Sequence, residues 1–167
     1  LSSGWDGRIG FWDVEPAEII EVEIAAAVEK TEKEEAKPAV MQLQVAATKM
    51  IVAHQGFSRW VHVAPDGKTI ATCGNDKLVK VWSAKKMKLR RQCVGHERHP
   101  WAVMIHPNGQ ELVSEDIMGE IIVWGLKDGK QRSKIDASVM TGFDLKFQAD
   151  MGGARAMAFN HAGTLLG

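Results

Sequence analysis

Two histidines stand three residues apart in His96-Glu97-Arg98-His99. On a helix, such spacing can put two imidazoles on one face to hold a metal ion. No third ligand has a fixed place beside them, so no metal site is expected. Cys73 and Cys93 are the only cysteines. Serine, histidine and aspartate all occur, but no Gly-Xaa-Ser-Xaa-Gly elbow sets up a nucleophile and no glycine-rich loop waits for a phosphate. Gly152-Gly153 reads as the opening of a strand. No cofactor and no small-molecule substrate follow from these residues.

The elements that must position these groups come as a repeat. Trp82 and Trp124 are 42 residues apart, and so are His54 and His96, Pro65 and Pro107, Gly67 and Gly109, and Val81 and Val123. Two full units run over residues 54–95 and 96–137. A partial unit over residues 1–13 matches the second half of the repeat, with Asp6 and Trp12 offset by 70 from Asp76 and Trp82. Another over residues 154–167 begins at the first half, where Met157 to Gly163 matches Val103 to Gly109. Self-similarity at such a period marks a repeat architecture.

Within one unit, Trp60 to Ala64 is an apolar, β-branched run that predicts a strand. Pro65-Asp66-Gly67-Lys68 is a turn, because proline fixes φ and glycine tolerates a positive φ. Strands follow over Thr69 to Cys73, Leu78 to Trp82 and Leu89 to Val94, with a second turn at Gly74-Asn75-Asp76-Lys77. Four short antiparallel strands make a small sheet that cannot bury both faces alone. Radial stacking of such sheets covers the faces. Cys73 and Cys93 then lie two strand spacings apart, roughly 9.5 Å, beyond the reach of a disulfide. Free thiols fit a reducing compartment such as the cytoplasm.

The period, the Val-Trp and Trp-Asp strand ends and the Gly95-His96 pair resemble WD40 repeats. Stretches such as Ala53-His54-Gln55-Gly56 and Ala71-Thr72-Cys73-Gly74-Asn75-Asp76 look closest to bacterial WD-repeat proteins. The resemblance implies an all-β propeller of four-stranded blades. It also implies a buried network of histidine, Ser/Thr, aspartate and tryptophan in each blade. Carried over by position, His54, Thr72, Asp76 and Trp82 make a full set. His96, Ser114 and Trp124 make a second, in which Met118 replaces the aspartate, so that network should be broken or filled by water. Ser2, Asp6 and Trp12 belong to the leading partial blade. Because the chain opens inside one strand and closes inside another, a fragment of a longer propeller is expected.

Two segments depart from the period. Residues 14–53 hold an insertion and a return strand, and Glu15 to Lys37 carries eight Glu and three Lys. This reads as a solvated loop, with a docking tail for a basic partner as the sharper alternative. The second insertion, residues 138–153, carries Phe143, Leu145, Phe147 and Met151, which suggests packing against the sheets. Lys77 to His99 holds eight Lys/Arg against one Glu, a basic outer strand and loop. Charge there blocks edge pairing, or else binds an acidic segment.

Composition limits the partners. The chain has 167 residues, 21 basic and 21 acidic side chains and a hydrophobic share of 45%. Zero net charge argues against general nucleic-acid binding, and no apolar run is long enough to span a membrane. Arg59, Trp101 and Arg155 fall in one slot of successive repeats, at the start of the first strand. Arginine and tryptophan are enriched in interface hot spots. With Asn75, Lys77, Arg98 and His99 they form the candidate partner-binding set. The expected function is a noncatalytic scaffold that binds a protein or peptide on one face. A regulatory or substrate-recruiting domain of a larger enzyme is the alternative.

Overall fold

A computed structural model describes residues 1–12, 47–136, 142–144, 149–151 and 156–167. Among them there is no helix. Strands β4 (Ser58–Val63), β5 (Thr69–Gly74), β6 (Leu78–Ser83) and β7 (Lys88–Val94) form one antiparallel sheet in chain order. Strands β8 (Pro100–Ile105), β9 (Glu111–Asp116), β10 (Glu120–Gly125) and β11 (Gln131–Asp136) form a second. Strands β1 (Ser2–Ser3), β2 (Arg8–Trp12) and β3 (Ala47–Val52) make a three-stranded sheet before them. A short hairpin, β12 (Gly142–Asp144) with β13 (Ala149–Met151), follows. The all-β architecture of four-stranded antiparallel sheets agrees with the sequence reading.

The turns form for the reasons given by their residues. Gly67 and Gly109 take φ values of 67° and 68°, and their amides donate to Ala64 and His106. Gly163 repeats the arrangement at φ 72°, donating to Asn160. A β-bulge recurs at the same place in each sheet, between Phe11 and Trp12, Val81 and Trp82, and Val123 and Trp124. A second recurrent bulge lies at the start of the first strand. Ser58 pairs with Gly74 and Trp60 with Cys73, which leaves Arg59 out of the ladder. Likewise Pro100 pairs with Asp116 and Ala102 with Glu115, which leaves Trp101 out.

Burial falls off across each sheet. Every residue of β5 is buried, whereas β7 is exposed at all positions but Cys93. The main core lies between the two four-stranded sheets, where Ala71, Val79 and Val81 meet Val103, Ile105, Leu112 and Trp124. Ile9, Ala53, Ile70 and Trp82 seal the earlier sheet to the next. Met157 packs on Ala102 and Val113 at the other end. The Ile105 amide donates to His62 Nδ1 at 3.1 Å, a bond between sheets. Cys73 and Cys93 flank Val79 in the register and are both free and buried. Burial pushes the Cys93 thiol up to about 12 and Cys73 higher still.

Candidate functional site

The residues fall into two groups, one sealed inside the sheets and one open at their end. In the sealed group, Trp82 Nε1–H donates to Thr72 Oγ1 at 2.9 Å, and Thr72 meets His54 Nε2 at 2.8 Å. His54 Nδ1 lies 2.7 Å from Asp76 Oδ1. One proton arrangement satisfies all of them: the Thr72 hydroxyl donates to Nε2, and Nδ1–H donates to the carboxylate. That makes His54 neutral, and burial accordingly holds its pKa below 6.5 despite the neighbouring Asp76. Burial would raise Asp76, but hydrogen bonds from Lys80 and His54 outweigh it and pull the carboxyl down.

The connectivity is that of a Thr-His-Asp triad, but its environment rules out catalysis there. Thr72 is 0% and His54 2% exposed, and Trp82 already occupies the Thr72 oxygen. Lys80, which the sequence placed on a basic outer strand, is buried instead. Its ammonium binds Asp76 Oδ2 at 2.9 Å and the Ala53 carbonyl at 2.6 Å. Strand alternation turns Lys80 inward, and the acid four residues earlier compensates its charge.

The second sheet repeats part of this chain. His96 Nε2 lies 2.6 Å from Ser114 Oγ, which accepts from Trp124 Nε1 at 2.8 Å. With Met118 at the aspartate position the chain of hydrogen bonds stops at His96 Nδ1, which has no hydrogen-bond partner among the described residues. Asp116 and Glu120, on either side of Met118, bring carboxylates within 3.9 and 3.5 Å of His96 Nδ1. Burial keeps the His96 pKa below 6.5 against the pull of Asp116 and Glu120. In the first sheet the position of Asp116 is held by Gly74. A Cβ there would lie 2.5 Å from His54 Cγ, so the acid must enter from the turn. In the leading sheet Ser2 and Asp6 are exposed. Asp6 there accepts the Arg8 amide at 3.1 Å. The Trp12 side chain and Arg155 lie outside the described residues, as do the acidic stretch before β3 and the side chains of the second insertion.

The open group is built by the first-strand bulge. A bulge re-aims the extra residue away from the ladder, and here Arg59 and Trp101 are the residues released. The Arg59 guanidinium sits 4.2 Å from the Trp101 ring centroid and 5.8 Å from that of Phe57. Its Nε–H donates to Asn75 Oδ1 at 2.6 Å. Trp5, 82% exposed, stacks on Phe57 at 5.1 Å. Trp5, Phe57, Arg59 and Trp101, with Ser3, Ser58 and Trp60, line a cleft of about 490 Å³. The Ser58 hydroxyl is buried and has no hydrogen-bond partner among the described residues. Lys77 and Arg98 are exposed and His99 is half-buried; none of the three lines the cleft. The repeat offset puts Trp5 in the turn slot of Asn75 and Ile117, beside the expected patch, whereas it does not single out Phe57 and Ser58.

Residues 47–83, which span β3 to β6 and contain the whole Thr72-centred chain, match the family model "WD domain, G-beta repeat". That stretch is similar to one WD40 repeat. The "Small ribosomal subunit protein RACK1" of Neurospora crassa is 30% identical to it over 95 residues, 54% of this chain and 30% of the relative. "Small ribosomal subunit protein RACK1y" of Oryza sativa subsp. japonica is 32% identical over 93 residues, 53% and 28% of the two chains. "MST50-interacting protein 11" of Pyricularia oryzae is 30% identical over 95 residues, again 54% and 30%. The chain thus matches less than a third of the length of these relatives. All three are eukaryotic, which corrects the bacterial affinity suggested by its WD40 sequence stretches.

Proposed function

We propose that the chain is a noncatalytic scaffold that docks a protein or peptide segment on the face carrying Trp5, Phe57, Arg59 and Trp101. The observation that carries this reading is the Arg59 arrangement. The guanidinium is stacked on indole and steered at Nε by Asn75, while its two terminal nitrogens have no partner among the described residues. A planar cation prepared in this way offers a bidentate seat for a carboxylate. The flanking rings offer area that costs little entropy to order. An acidic residue beside an aromatic or aliphatic one is the segment that fits. The names of two relatives support the small ribosomal subunit as one assembly to test.

The experiment is selection from a displayed peptide library against the wild-type chain and against Arg59→Ala and Trp101→Ala. Wild type should enrich acidic-aromatic peptides, and each variant should weaken them by roughly 1–2 kcal/mol or more with its thermal midpoint unchanged. Equal enrichment by all three proteins would move the docking face elsewhere.

A further inference from the structure

The second sheet holds a buried arrangement that extends the repeat's His96–Ser114 pair and lies apart from the docking face. Three side chains converge beneath the turn between β9 and β10. His96 is anchored through Nε2 by Ser114, and its Nδ1, on a side chain 1% exposed, has no hydrogen-bond partner among the described residues. Asp116 has Oδ1 pinned by the amides of Met118 and Glu120 at 2.8 and 3.0 Å, while Oδ2 faces the histidine. Glu120 has Oε2 bound to Lys134 Nζ at 2.6 Å, and its buried Oε1, 3.5 Å from His96 Nδ1, has no hydrogen-bond partner among the described residues. Each side chain is therefore fixed at one atom by a protein group and turns its other atom toward a common point. Metal ligands are oriented in this way by their outer-shell partners.

We infer that His96 Nδ1, Asp116 Oδ2 and Glu120 Oε1 form a site for a divalent transition-metal ion of the zinc class. The three atoms lie within 4.8 Å of one another. The separations from Nδ1 are 3.5 Å to Glu120 and 3.9 Å to Asp116. Ligands about 2.0–2.2 Å from a tetrahedral zinc stand roughly 3.4 Å apart, so small side-chain movements close the set around an ion. One nitrogen and two carboxylate oxygens suit borderline cations, and three protein ligands leave a fourth position for water. Two carboxylates face one ammonium here, and a divalent cation offsets the excess. On binding, Nδ1 gives its lone pair to the metal, and Nε2–H donates to Ser114.

The first sheet shows why the site is confined to the second. His54 Nδ1 already has Asp76 at 2.7 Å, and the Lys80 ammonium holds the other oxygen of that carboxylate. At the Lys80 position the second sheet has Ile122, so no lysine occupies the equivalent space.

The test is titration of Co²⁺ into the metal-stripped full chain, read by ligand-field absorption in the visible and by displacement with Zn²⁺. One equivalent should bind with the intense bands of low coordination, and Zn²⁺ should raise the thermal midpoint. Glu120→Gln and Asp116→Asn should each weaken binding by about tenfold or more, while His161→Ala, at an exposed imidazole, should leave it unchanged. Circular dichroism confirms that each variant is folded. If one variant fails to fold, the other carries the comparison. Absence of ligand-field bands at one equivalent, as expected if only a water bridges these atoms, overturns the proposal. So does an affinity that both carboxylate variants leave intact.

Discussion

Removing the Asp76 carboxylate tests whether the sealed network holds the first four-stranded sheet together. In Asp76→Ala, the His54 Nδ1–H loses its only acceptor inside a side chain that is 0% exposed. An orphaned buried donor costs about 1–3 kcal/mol. Lys80 loses its counter-ion at 10% side-chain exposure. Breaking a fully buried pair costs roughly 3–5 kcal/mol. Because the Lys80 ammonium keeps the Ala53 carbonyl and has a stem that can reach water, about 1–2 kcal/mol is the fitting share. The sum is about 2–5 kcal/mol, a large part of the 5–15 kcal/mol typical of a domain. Urea unfolding followed by tryptophan fluorescence reads it. With a slope near 2 kcal/mol/M, the midpoint should fall by about 1–2.5 M. Lys80→Met alone should cost about 1–2 kcal/mol, because Asp76 keeps its histidine and amide donors. In the double variant no ammonium is left unpaired, so the two costs should fall short of additivity by about 1–2 kcal/mol. A loss under about 0.5 kcal/mol in Asp76→Ala, or additive singles, would refute the reasoning.

Two further outcomes follow from the buried groups. His54 is held neutral by burial, so its folded pKa lies below the unfolded 6.5. The unfolded chain then takes up the proton first. The stability His54 contributes is complete above about pH 6.5 and is lost as pH falls through the folded value, with a slope of up to about 1.4 kcal/mol per pH unit. NMR titration should show the His54 ring still neutral at pH 6.5, and a midpoint at or above that pH would contradict the assignment. The thiols of Cys73 and Cys93, buried and pushed far up, should not react with a disulfide reagent in the native chain. Both should react once urea unfolds it, and native-state labelling of either would place it on an accessible surface.

The blade was legible because its causes are local. Pro-Asp-Gly and Pro-Asn-Gly turns, β-branched runs and a tryptophan closing the third strand each encode their own backbone shape, and the period multiplies the signal. The offset of 42 residues likewise picks out His54, Thr72, Asp76 and Trp82, which the hydrogen bonds join. What the offset hides is any change of supply. Lys80 sits in the basic stretch from Lys77 to His99, and nothing in that run marks it as the member that strand alternation turns inward. The bulges that release Arg59 and Trp101 depend on ladder pairing, and the Trp5–Phe57 stack depends on how two sheets meet. Neither is written in the spacing of one repeat.

The second sheet carries the argument one step further. A repeat conserves a requirement, here a carboxylate near the imidazole, rather than the position that meets it. In the first sheet Gly74 leaves room for His54, so the acid must come from the turn at Asp76. In the second sheet the strand itself supplies Asp116 at the position paired with Pro100, as Gly74 pairs with Ser58. Met118 is then free to be apolar, and Glu120 enters from the next strand. The cost of that rearrangement is visible in His96 Nδ1, which faces two carboxylates and reaches neither. Three acids fall within six residues here, Glu115, Asp116 and Glu120, a pattern the repeat offset alone does not single out. A buried imidazole that has lost its direct acid while keeping its hydroxyl anchor is a place where a repeat can acquire chemistry without losing its fold.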